Sequence, residues 1–151
     1  EGTTDFIFGD ATALFENCEI HSKSDSYVTA ASTPIDTTFG YVFKNCKLTA
    51  DENVTKSYLG RPWRPYAKTV FINCEMGNHI KPEGWHNWKK PDAEKTSFYA
   101  EYNCTGEGAS IANRVPWSHQ LTKSEAKKYT IENILDSDTT VSHKQWYLKN
   151  N

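Results

Sequence analysis

A short pattern of apolar, polar and cysteine positions recurs along the chain. It is LFENC at residues 14–18, VFKNC at 42–46 and VFINC at 70–74, so the first three cysteines follow one another at a constant interval of 28. A weaker copy, AEYNC, ends at Cys104 after a slightly longer interval. Self-similarity at a period of roughly 20–50 residues is typical of stacked-repeat folds. The pattern therefore predicts that successive units of the chain lie one above another.

Each copy predicts a β-strand rather than a helix. Its apolar positions are mostly β-branched or aromatic, as strands favour, and they lack the spacing of three and four residues that marks an amphipathic helix. A unit of this length has room for about three short strands with turns between them. We therefore predict an all-β protein, a parallel β-helix of about four coils stacked about 4.8 Å apart.

Stacked coils place equivalent side chains in rows. The asparagine of each copy is predicted to join an amide ladder at a turn, where asparagine tolerates a left-handed backbone; the row is Asn17, Asn45, Asn73 and Asn103. The cysteine that follows is predicted to fill the core with a free thiol. Disulfides between neighbouring coils are the alternative, because stacked cysteines lie within the Cα distance that a disulfide spans.

Composition and spacing exclude several classes of function. The formal net charge of −2 gives no electrostatic basis for nucleic-acid binding, and the longest apolar run is too short to cross a membrane. The histidines and cysteines lack the spacing of a metal site, so we expect no metal and no cofactor. Five tryptophans and eight tyrosines are compatible with sugar binding, although most aromatic residues belong to a core.

Four longer motifs resemble those of pectin methylesterases. They are GTTDFIFG at 2–9, LGRPW at 59–63, IKPEGWHNW at 80–88, and FYAEY at 98–102 followed by RVPW at 114–117. They occur in the family's order and at compatible spacing. The resemblance implies a right-handed parallel β-helix, in agreement with the repeat. It also implies a secreted or periplasmic enzyme, monomeric when complete, that hydrolyses methyl esters of galacturonate in methyl-esterified homogalacturonan (pectin).

The resemblance begins immediately before the strand that carries the family's nucleophile. Family members have an upstream segment, similar to QDTL, that supplies an acid/base aspartate and one glutamine of the oxyanion site, and a second such glutamine lies further upstream. These segments do not occur in the sequence. We therefore expect the chain to be the C-terminal half of a pectin methylesterase.

By this resemblance, Asp5 is the nucleophile that attacks the ester carbonyl, and Arg61 holds its carboxylate ionised and oriented. Methanol then leaves, and water hydrolyses the acyl-enzyme anhydride. The two residues are separated by two periods of the repeat. This spacing predicts that they lie on one face, two coils and about 10 Å apart. A surface salt bridge is the alternative interpretation of the pair.

The resemblance also implies aromatic contacts to the sugar. The substrate-binding candidates are Phe8, Trp63 and Tyr66, with Tyr27 and Thr29 as further candidates for the cleft wall. For Trp63 the alternative is packing against the neighbouring prolines. Trp85 and Trp88 are expected to be structural anchors rather than ligand contacts.

The alternatives are another pectin-active β-helix enzyme, either a pectate lyase or a polygalacturonase, and a β-helix that binds polysaccharide without catalysis. A pectate lyase is expected to show carboxylate clusters for calcium and a basic catalytic residue, and a polygalacturonase several close aspartates; the chain has neither pattern. A non-catalytic polysaccharide-binding β-helix is disfavoured by the presence of both Asp5 and Arg61. If the chain released methanol by itself, a residue such as Asp10 or Asp36 would have to shuttle the proton.

We divide the chain into a β-helix at 1–120 and a C-terminal tail at 121–151, which is expected to pack on the β-helix and cover its open end. TKSE at 122–125 predicts a capping box for a short helix at 124–129, and an apolar-periodic segment follows at 129–135. Glu101 takes the position that phenylalanine has in the other copies. We expect it to be solvated, with burial beside Arg114 as the alternative.

Overall fold

The computed structural model describes residues 1–136 and Tyr147, which form a stack of β-coils and a short helical tail. The strands are β1 (Ile7–Gly9), β2 (Ala13–Glu16), β3 (Glu19–Ser22), β4 (Tyr27–Ala31), β5 (Tyr41–Lys44), β6 (Lys47–Ala50), β7 (Tyr58–Pro62), β8 (Lys68–Ile72), β9 (Glu75–Met76), β10 (Phe98–Tyr102) and β11 (His119–Gln120). Two 3₁₀ helices occupy Pro91–Lys95 and Glu107–Ala109. The tail contains α1 (Lys123–Ala126) and α2 (Ile131–Leu135).

The strands pair in parallel to form three sheets, in the orders β1-β4-β7, β11-β10-β8-β5-β2 and β3-β6-β9. Each of the first three coils contributes one strand to every sheet. A fourth coil consists of β10 and of three single bridges, Ile80 to Ser57, Trp85 to Gly60 and Thr105 to Glu75. The predicted all-β parallel β-helix of about four coils is therefore confirmed. Among the described residues, no helix is long and apolar enough to cross a membrane.

Within the first three coils, the period of the repeat holds in two of the three sheets. Leu14 pairs with Val42, and Val42 pairs with Val70. In the sheet β1-β4-β7, however, Ile7 pairs with Thr29 after less than one period, and Thr29 pairs with Gly60 after more than one. Loops of different length before and after this sheet compensate for one another. The rows of core side chains therefore stay aligned, although the strands of this third sheet pair at intervals that differ from the period of the repeat.

A stack of phenylalanine rings runs through the core. The rings of Phe15 and Phe43 are 4.6 Å apart and those of Phe43 and Phe71 are 4.4 Å apart, nearly parallel in both cases. Burying each such side chain stabilises the fold by about 1.5–3 kcal/mol. The stack explains why the second position of the repeat is phenylalanine in three consecutive coils.

The predicted asparagine row is confirmed as a hydrogen-bonded ladder from Asn45 to Asn103, whereas Asn17 shares the turn conformation without a side-chain bond to Asn45. The amide nitrogen of Asn103 donates to the side-chain oxygen of Asn73 at 2.9 Å, and that of Asn73 donates to Asn45 at 3.4 Å. All four asparagines of the row have φ between 49° and 53°, a left-handed conformation that costs most other residues about 1–2 kcal/mol. The same turn therefore recurs in every coil.

The cysteines that follow the asparagines are free, as predicted. Their thiols donate to backbone carbonyls of the same or the preceding coil; Cys46 Sγ, for example, lies 3.4 Å from the carbonyl oxygens of both Phe15 and Lys44. Cys46 and Cys74 are buried in the core. The thiols thus act as small core side chains whose weak polarity is satisfied by the backbone.

The tail packs against the side of the β-helix. The predicted capping box is present, because the Thr122 hydroxyl accepts from the Glu125 backbone N–H while the Glu125 carboxylate accepts from the Thr122 N–H. The helix begins at Lys123 and ends at Ala126, earlier than the predicted 124–129. Tyr129 packs on the outer face of the five-stranded sheet beside Val70, Ile72 and Ala100.

The expectation that the tail covers the open end of the stack is wrong for the described part of the tail. That part packs on outward-facing apolar side chains of the five-stranded sheet instead. The helix α2 reaches β2 at the far edge of that sheet. Residues 137–146 and 148–151 of the predicted tail lie outside the described residues. The boundary between residues 120 and 121 stays a prediction.

Candidate active site

Asp5 lies in the turn that leads into β1, in an uncommon backbone conformation. Its φ is 50°, and its N–H donates to the carbonyl oxygen of Tyr27 in the next coil at 2.9 Å. Aspartate is one of the few residues other than glycine that tolerate this region. Backbone strain of this kind concentrates at functional sites, and here it sets the direction in which the carboxylate leaves the coil.

Asp5 and Arg61 form a two-pronged ion pair. Arg61 Nε donates to Asp5 Oδ1 at 3.0 Å, and Arg61 Nη2 donates to Asp5 Oδ2. The side chains are only 8 % and 14 % exposed for Arg61 and Asp5 respectively. Fork geometry between guanidinium and carboxylate is strong and directional, so this pair is not an ordinary surface salt bridge. The arginine holds one carboxylate in one orientation at the surface of the sheet.

The register that produces this pair differs from the one predicted. Arg61 aligns with Ala30 of β4, and Ala30 aligns with Phe8 of β1. Arg61 therefore lies two coils from Phe8, which follows Asp5 in the chain, and its long side chain reaches back to the carboxylate. The prediction that Asp5 and Arg61 lie on one face, two coils apart, is confirmed, although the period of the repeat does not hold in this sheet and Arg61 aligns with Phe8 rather than with Asp5.

Aromatic rings surround the guanidinium group. Arg61 Cζ lies 3.8 Å from the ring centre of Trp88, 4.7 Å from that of Tyr27 and 5.5 Å from that of Trp63. Contacts of this kind attract a cation to the ring face. Trp88 has φ of 50°, which is exceptional for a bulky residue. The loop that carries Trp88 is thus strained in a way that brings the indole onto the arginine.

The two tryptophans of the third motif have different positions. Trp85 is fully buried and stacks on Tyr99 at 4.3 Å, which confirms the expectation of a structural anchor. Trp88 is 38 % exposed and borders the Asp5–Arg61 pair, and for this residue the expectation of a structural anchor rather than a ligand contact stays a prediction. Both residues belong to the same motif, and only the three-dimensional turn between them distinguishes their roles.

Two of the predicted sugar-contacting residues, Phe8 and Trp63, form an aromatic strip with Trp88 beside the pair. Phe8 is 56 % exposed and meets Trp63 edge to face at 5.1 Å. Trp63 stacks on Trp88 at 5.6 Å. Tyr66 is also exposed. Exposed rings in a row are suited to the apolar faces of sugars, and substrate binding by Phe8, Trp63 and Tyr66 stays a prediction.

Thr29, by contrast, does not line the cleft. Its side chain is buried, and its hydroxyl donates to the carbonyl oxygen of Leu59 at 2.9 Å. The neighbouring Gly60 explains this arrangement, because a Cβ at that position would lie 2.1 Å from the Thr29 hydroxyl oxygen. The suggestion that Thr29 forms part of the cleft wall is therefore wrong.

A polar group adjoins the pair on its other side. The Tyr27 hydroxyl and His86 Nδ1 are 3.0 Å apart, and Lys81 Nζ donates to the Tyr58 hydroxyl at 2.9 Å. Burial lowers the pKa of His86, and the positive charges of Lys81 and Arg61 lower it further. The hydrogen bond to Tyr58 raises the pKa of Lys81. Sequence analysis identified Tyr27 alone of these residues, since nothing in the spacing of the others indicates that they converge.

Lys90 is a further cation that contacts Trp63 and Trp88. Lys90 Nζ donates to the carbonyl oxygen of Trp63 at 2.8 Å and lies 4.8 Å from the ring centre of Trp88. Burial lowers the pKa of Lys90, and the nearby charges of Arg64 and Arg61 act in the same direction. The surroundings of Asp5 are therefore rich in positive charge, which favours an anionic ligand.

The described residues contain no group of three or more histidine, cysteine, aspartate or glutamate side chains that could hold a metal ion. The other two aspartates considered for proton transfer, Asp10 and Asp36, are exposed. Among residues 1–136, neither of them hydrogen-bonds to Asp5 or Arg61.

These features define a parallel β-helix with a buried carboxylate–guanidinium pair in an open, electropositive cleft lined by aromatic rings. The family profile of pectinesterases matches residues 1–138. The chain belongs to the pectinesterase family. The match covers every described strand and the entire aspartate–arginine site.

Individual relatives agree with this assignment. Pectinesterase 31 of Arabidopsis thaliana is 40% identical over 139 residues, 91% of this chain and 44% of the relative. Pectinesterase QRT1 of the same plant is 39% identical over 132 residues, 85% of this chain and 34% of the relative. The chain thus spans less than half the length of these relatives.

Solved structures show the same fold. Pectin methylesterase from carrot superposes with a TM-score of 0.82 at 32% identity, over 89% of this chain and 47% of that one. A pectin methylesterase in complex with hexasaccharide VII gives a TM-score of 0.72 at 30% identity, over 89% of this chain and 51% of that one. Both superpositions cover about half of the solved chain.

Proposed function

We propose that this chain carries the nucleophile of a pectin methylesterase, which hydrolyses the methyl esters of galacturonate units in homogalacturonan. The observation that carries the proposal is the forked Asp5–Arg61 pair in the aromatic cleft of a pectinesterase fold. The electropositive surroundings suit a substrate that contains free carboxylates as well as esters. A relative in the same family has been crystallised with a hexasaccharide.

In the proposed reaction, a carboxylate oxygen of Asp5 forms a bond to the ester carbonyl carbon. The tetrahedral intermediate collapses, the bond to the methoxy group breaks, and methanol leaves with a proton from a general acid. The product is an anhydride between Asp5 and the galacturonate. Water then attacks the galacturonate carbonyl of the anhydride, its bond to the Asp5 oxygen breaks, and one proton returns to the general base. Free Asp5 and a galacturonate carboxylate result, and the second proton is released to solvent. Arg61 orients the nucleophile throughout.

We infer that the general acid/base and the donors of the oxyanion site lie on coils that precede β1 in a longer protein. Two observations support this. The chain spans less than half of each Arabidopsis relative named above, and no second carboxylate among residues 1–136 hydrogen-bonds to Asp5 or Arg61. The chain would then be the C-terminal half of the catalytic domain. The substrate, a plant cell-wall polymer, implies a secreted or periplasmic enzyme, and we expect it to act as a monomer.

The test is methanol release from highly methylated pectin, by the chain alone and by the chain joined to the missing upstream coils. The proposal predicts no release by the chain alone and release by the longer protein. Asp5→Asn in the longer protein should abolish release while pectin binding persists. Release by the isolated chain would contradict an upstream acid/base, and pectin binding without release by the longer protein would favour a purely binding role.

A further inference from the structure

Lys90 lies beside the aromatic strip and makes side-chain contacts that the proposed reaction does not use. Its Nζ donates to the carbonyl oxygen of Trp63 at 2.8 Å and to that of Pro62 at 3.4 Å. The same ammonium group lies 4.8 Å from the ring centre of Trp88 and 5.8 Å from that of Trp63. One cation therefore contacts the rings of both tryptophans and the backbone that carries one of them.

The turn that precedes Lys90 has a strained backbone. Trp88 and Lys89 have φ of 50° and 59°, and a left-handed conformation costs residues of this kind about 1–2 kcal/mol each. The Asn87 side chain supports the turn, because its Oδ1 accepts from the Lys89 N–H at 2.9 Å and its Nδ2 donates to Glu94 Oε1 at 2.5 Å. Such strain persists only where surrounding contacts determine the conformation, and it concentrates at functional sites.

Lys90 joins this turn to the segment that follows β7. Among the described residues, the only hydrogen bonds between residues 87–90 and residues 61–65 include Lys90 Nζ as the donor. The Trp88 ring also stacks on that of Trp63, with ring centres 5.6 Å apart and planes inclined by 20°. Such stacking contributes only about 0.5–1.5 kcal/mol, whereas a hydrogen bond is directional. The bonds from Lys90 therefore fix how the two indoles face each other.

The charges around Lys90 show that these contacts, rather than a counter-ion, hold its side chain in place. Burial and the nearby charges of Arg64 and Arg61 all disfavour the ammonium form of Lys90. In the part of the chain that the structure describes, Lys90 forms no ion pair with a carboxylate. Two carbonyl oxygens and the faces of two indoles compensate for this unfavourable position.

We propose that Lys90 is a positioning residue, which holds the stacked Trp63 and Trp88 in the orientation that lets Trp63 contact the substrate. Trp88 is the support, because its ring contacts both the Arg61 guanidinium and the Trp63 indole. The inference rests on the proposed function, in which Trp63 contacts the sugar. Lys90 is hydrogen-bonded to neither Asp5 nor Arg61. Its loss therefore impairs substrate binding rather than the chemical step.

Circular dichroism of the complete enzyme tests the orientation of the rings, because two stacked indoles give an exciton couplet that depends on their mutual orientation. The difference between the spectra of wild type and Trp88→Phe isolates the couplet of this pair. Lys90→Met should largely remove the couplet. Lys90→Arg should retain it, since a guanidinium can donate to both carbonyl oxygens. Lys89→Met is the matched control, because Lys89 is exposed and its side chain makes no hydrogen bond among the described residues.

Methanol release from pectin by the same variants tests the role in substrate binding. Lys90→Met should raise KM about 3–10-fold, corresponding to about 0.7–1.4 kcal/mol, and leave kcat close to that of the wild type. Lys90→Arg and Lys89→Met should keep the wild-type KM.

The two measurements separate failure of this inference from failure of the proposed function. A couplet or a KM that is unchanged in Lys90→Met would overturn the inference alone, and so would an equal loss in Lys89→Met. No methanol release by the complete wild-type enzyme would overturn the proposed function and, with it, the role of Lys90 in substrate binding. The couplet tests the position of the rings in either case.

Discussion

Glu101 lies directly beyond Phe71 in the inward-facing row that Phe15 and Phe43 begin. A carboxylate thus ends a stack of phenylalanine rings. Arg114 meets it with a fork, Nε to Oε1 at 2.9 Å and Nη2 to Oε2 at 3.0 Å, and both side chains are almost fully buried. The expectation of a solvated Glu101 is wrong, and the alternative of burial beside Arg114 is confirmed.

Removing one partner of this pair should destabilise the protein strongly. Arg114→Met leaves the Glu101 carboxylate buried without its counter-ion, which typically costs about 3–5 kcal/mol. The double variant Glu101→Phe/Arg114→Met continues the phenylalanine row and should recover part of the loss. Urea unfolding measures both free energies of unfolding. Lys95→Met, which removes an exposed pair with Asp92, is the control and should have no measurable effect; a double variant no more stable than Arg114→Met would contradict this account.

Replacing Arg61 by lysine should impair catalysis while leaving the fold intact. Lysine keeps the charge but cannot donate two parallel hydrogen bonds to the Asp5 carboxylate. Misplacing a reacting group by about 1 Å can cost roughly 10²-fold in rate, so we expect kcat of the complete enzyme to fall by about that factor. Arg64→Lys, at an exposed neighbouring position, should leave kcat near its original value. An Arg61→Lys enzyme with normal kcat would show that the fork does not orient the nucleophile.

The asparagine ladder allows its two contributions to be measured separately at Asn73. Asn73→Gly keeps the left-handed turn, with φ of 53°, and removes the side-chain hydrogen bonds at an added backbone-entropy cost of about 0.5–1 kcal/mol. Asn73→Ala removes the same bonds and adds a conformational cost of about 1–2 kcal/mol. Thermal and urea unfolding should therefore rank wild type above the glycine variant and the glycine variant above alanine. Equal stability of the two variants would mean that the strain of the turn does not exceed the backbone-entropy cost of glycine, about 0.4–1 kcal/mol, and would contradict the expected ranking.

His79 should make the stability of the fold depend on pH. It is buried, and desolvation lowers its pKa, with a smaller effect from His21. The folded state therefore favours the neutral ring. Its contribution is complete above the unfolded pKa of about 6.5 and is lost as the pH falls through the lower folded pKa, because the unfolded chain binds the proton more readily.

The measurement is the free energy of unfolding of wild type and His79→Gln between pH 7.5 and 5. Wild type should lose more stability over this range than the glutamine variant does. The slopes of the two curves are compared, rather than their absolute values, since the substitution itself changes packing. Parallel curves would show that His79 is not responsible for the pH dependence.

The repeat was sufficient to predict much of the fold. Asn45, Asn73 and their equivalents share one offset in the sequence, and a stacked row follows because hydrogen-bonded strands have a fixed spacing. The free thiols and the Asp5–Arg61 pair also follow from patterns that are visible in the chain. Each of these predictions depends on residues that recur at a fixed interval or belong to a recognisable motif.

The predictions made from the sequence fail where the path of the backbone departs from the constant interval of the repeat. The register of Arg61 depends on loops whose lengths compensate, and a constant cysteine spacing conceals this. Thr29 is buried, and Trp88 borders the Asp5–Arg61 pair, because contacts on this wall are decided by the neighbouring coil, through Gly60 in one case and Arg61 in the other. Glu101 became buried because Arg114, from a later loop, supplies the counter-charge.

The compensating loops around β1, β4 and β7 allow residues of the candidate site to shift while the packing of the core stays the same. Two walls of the coil keep the period of the repeat, while the third pairs first at a shorter and then at a longer interval. When the loop before this wall is longer and the loop after it shorter, or the reverse, a strand shifts along its neighbours. The phenylalanine, asparagine and cysteine rows are not disturbed. The cleft can therefore diverge among relatives while the interior stays constant.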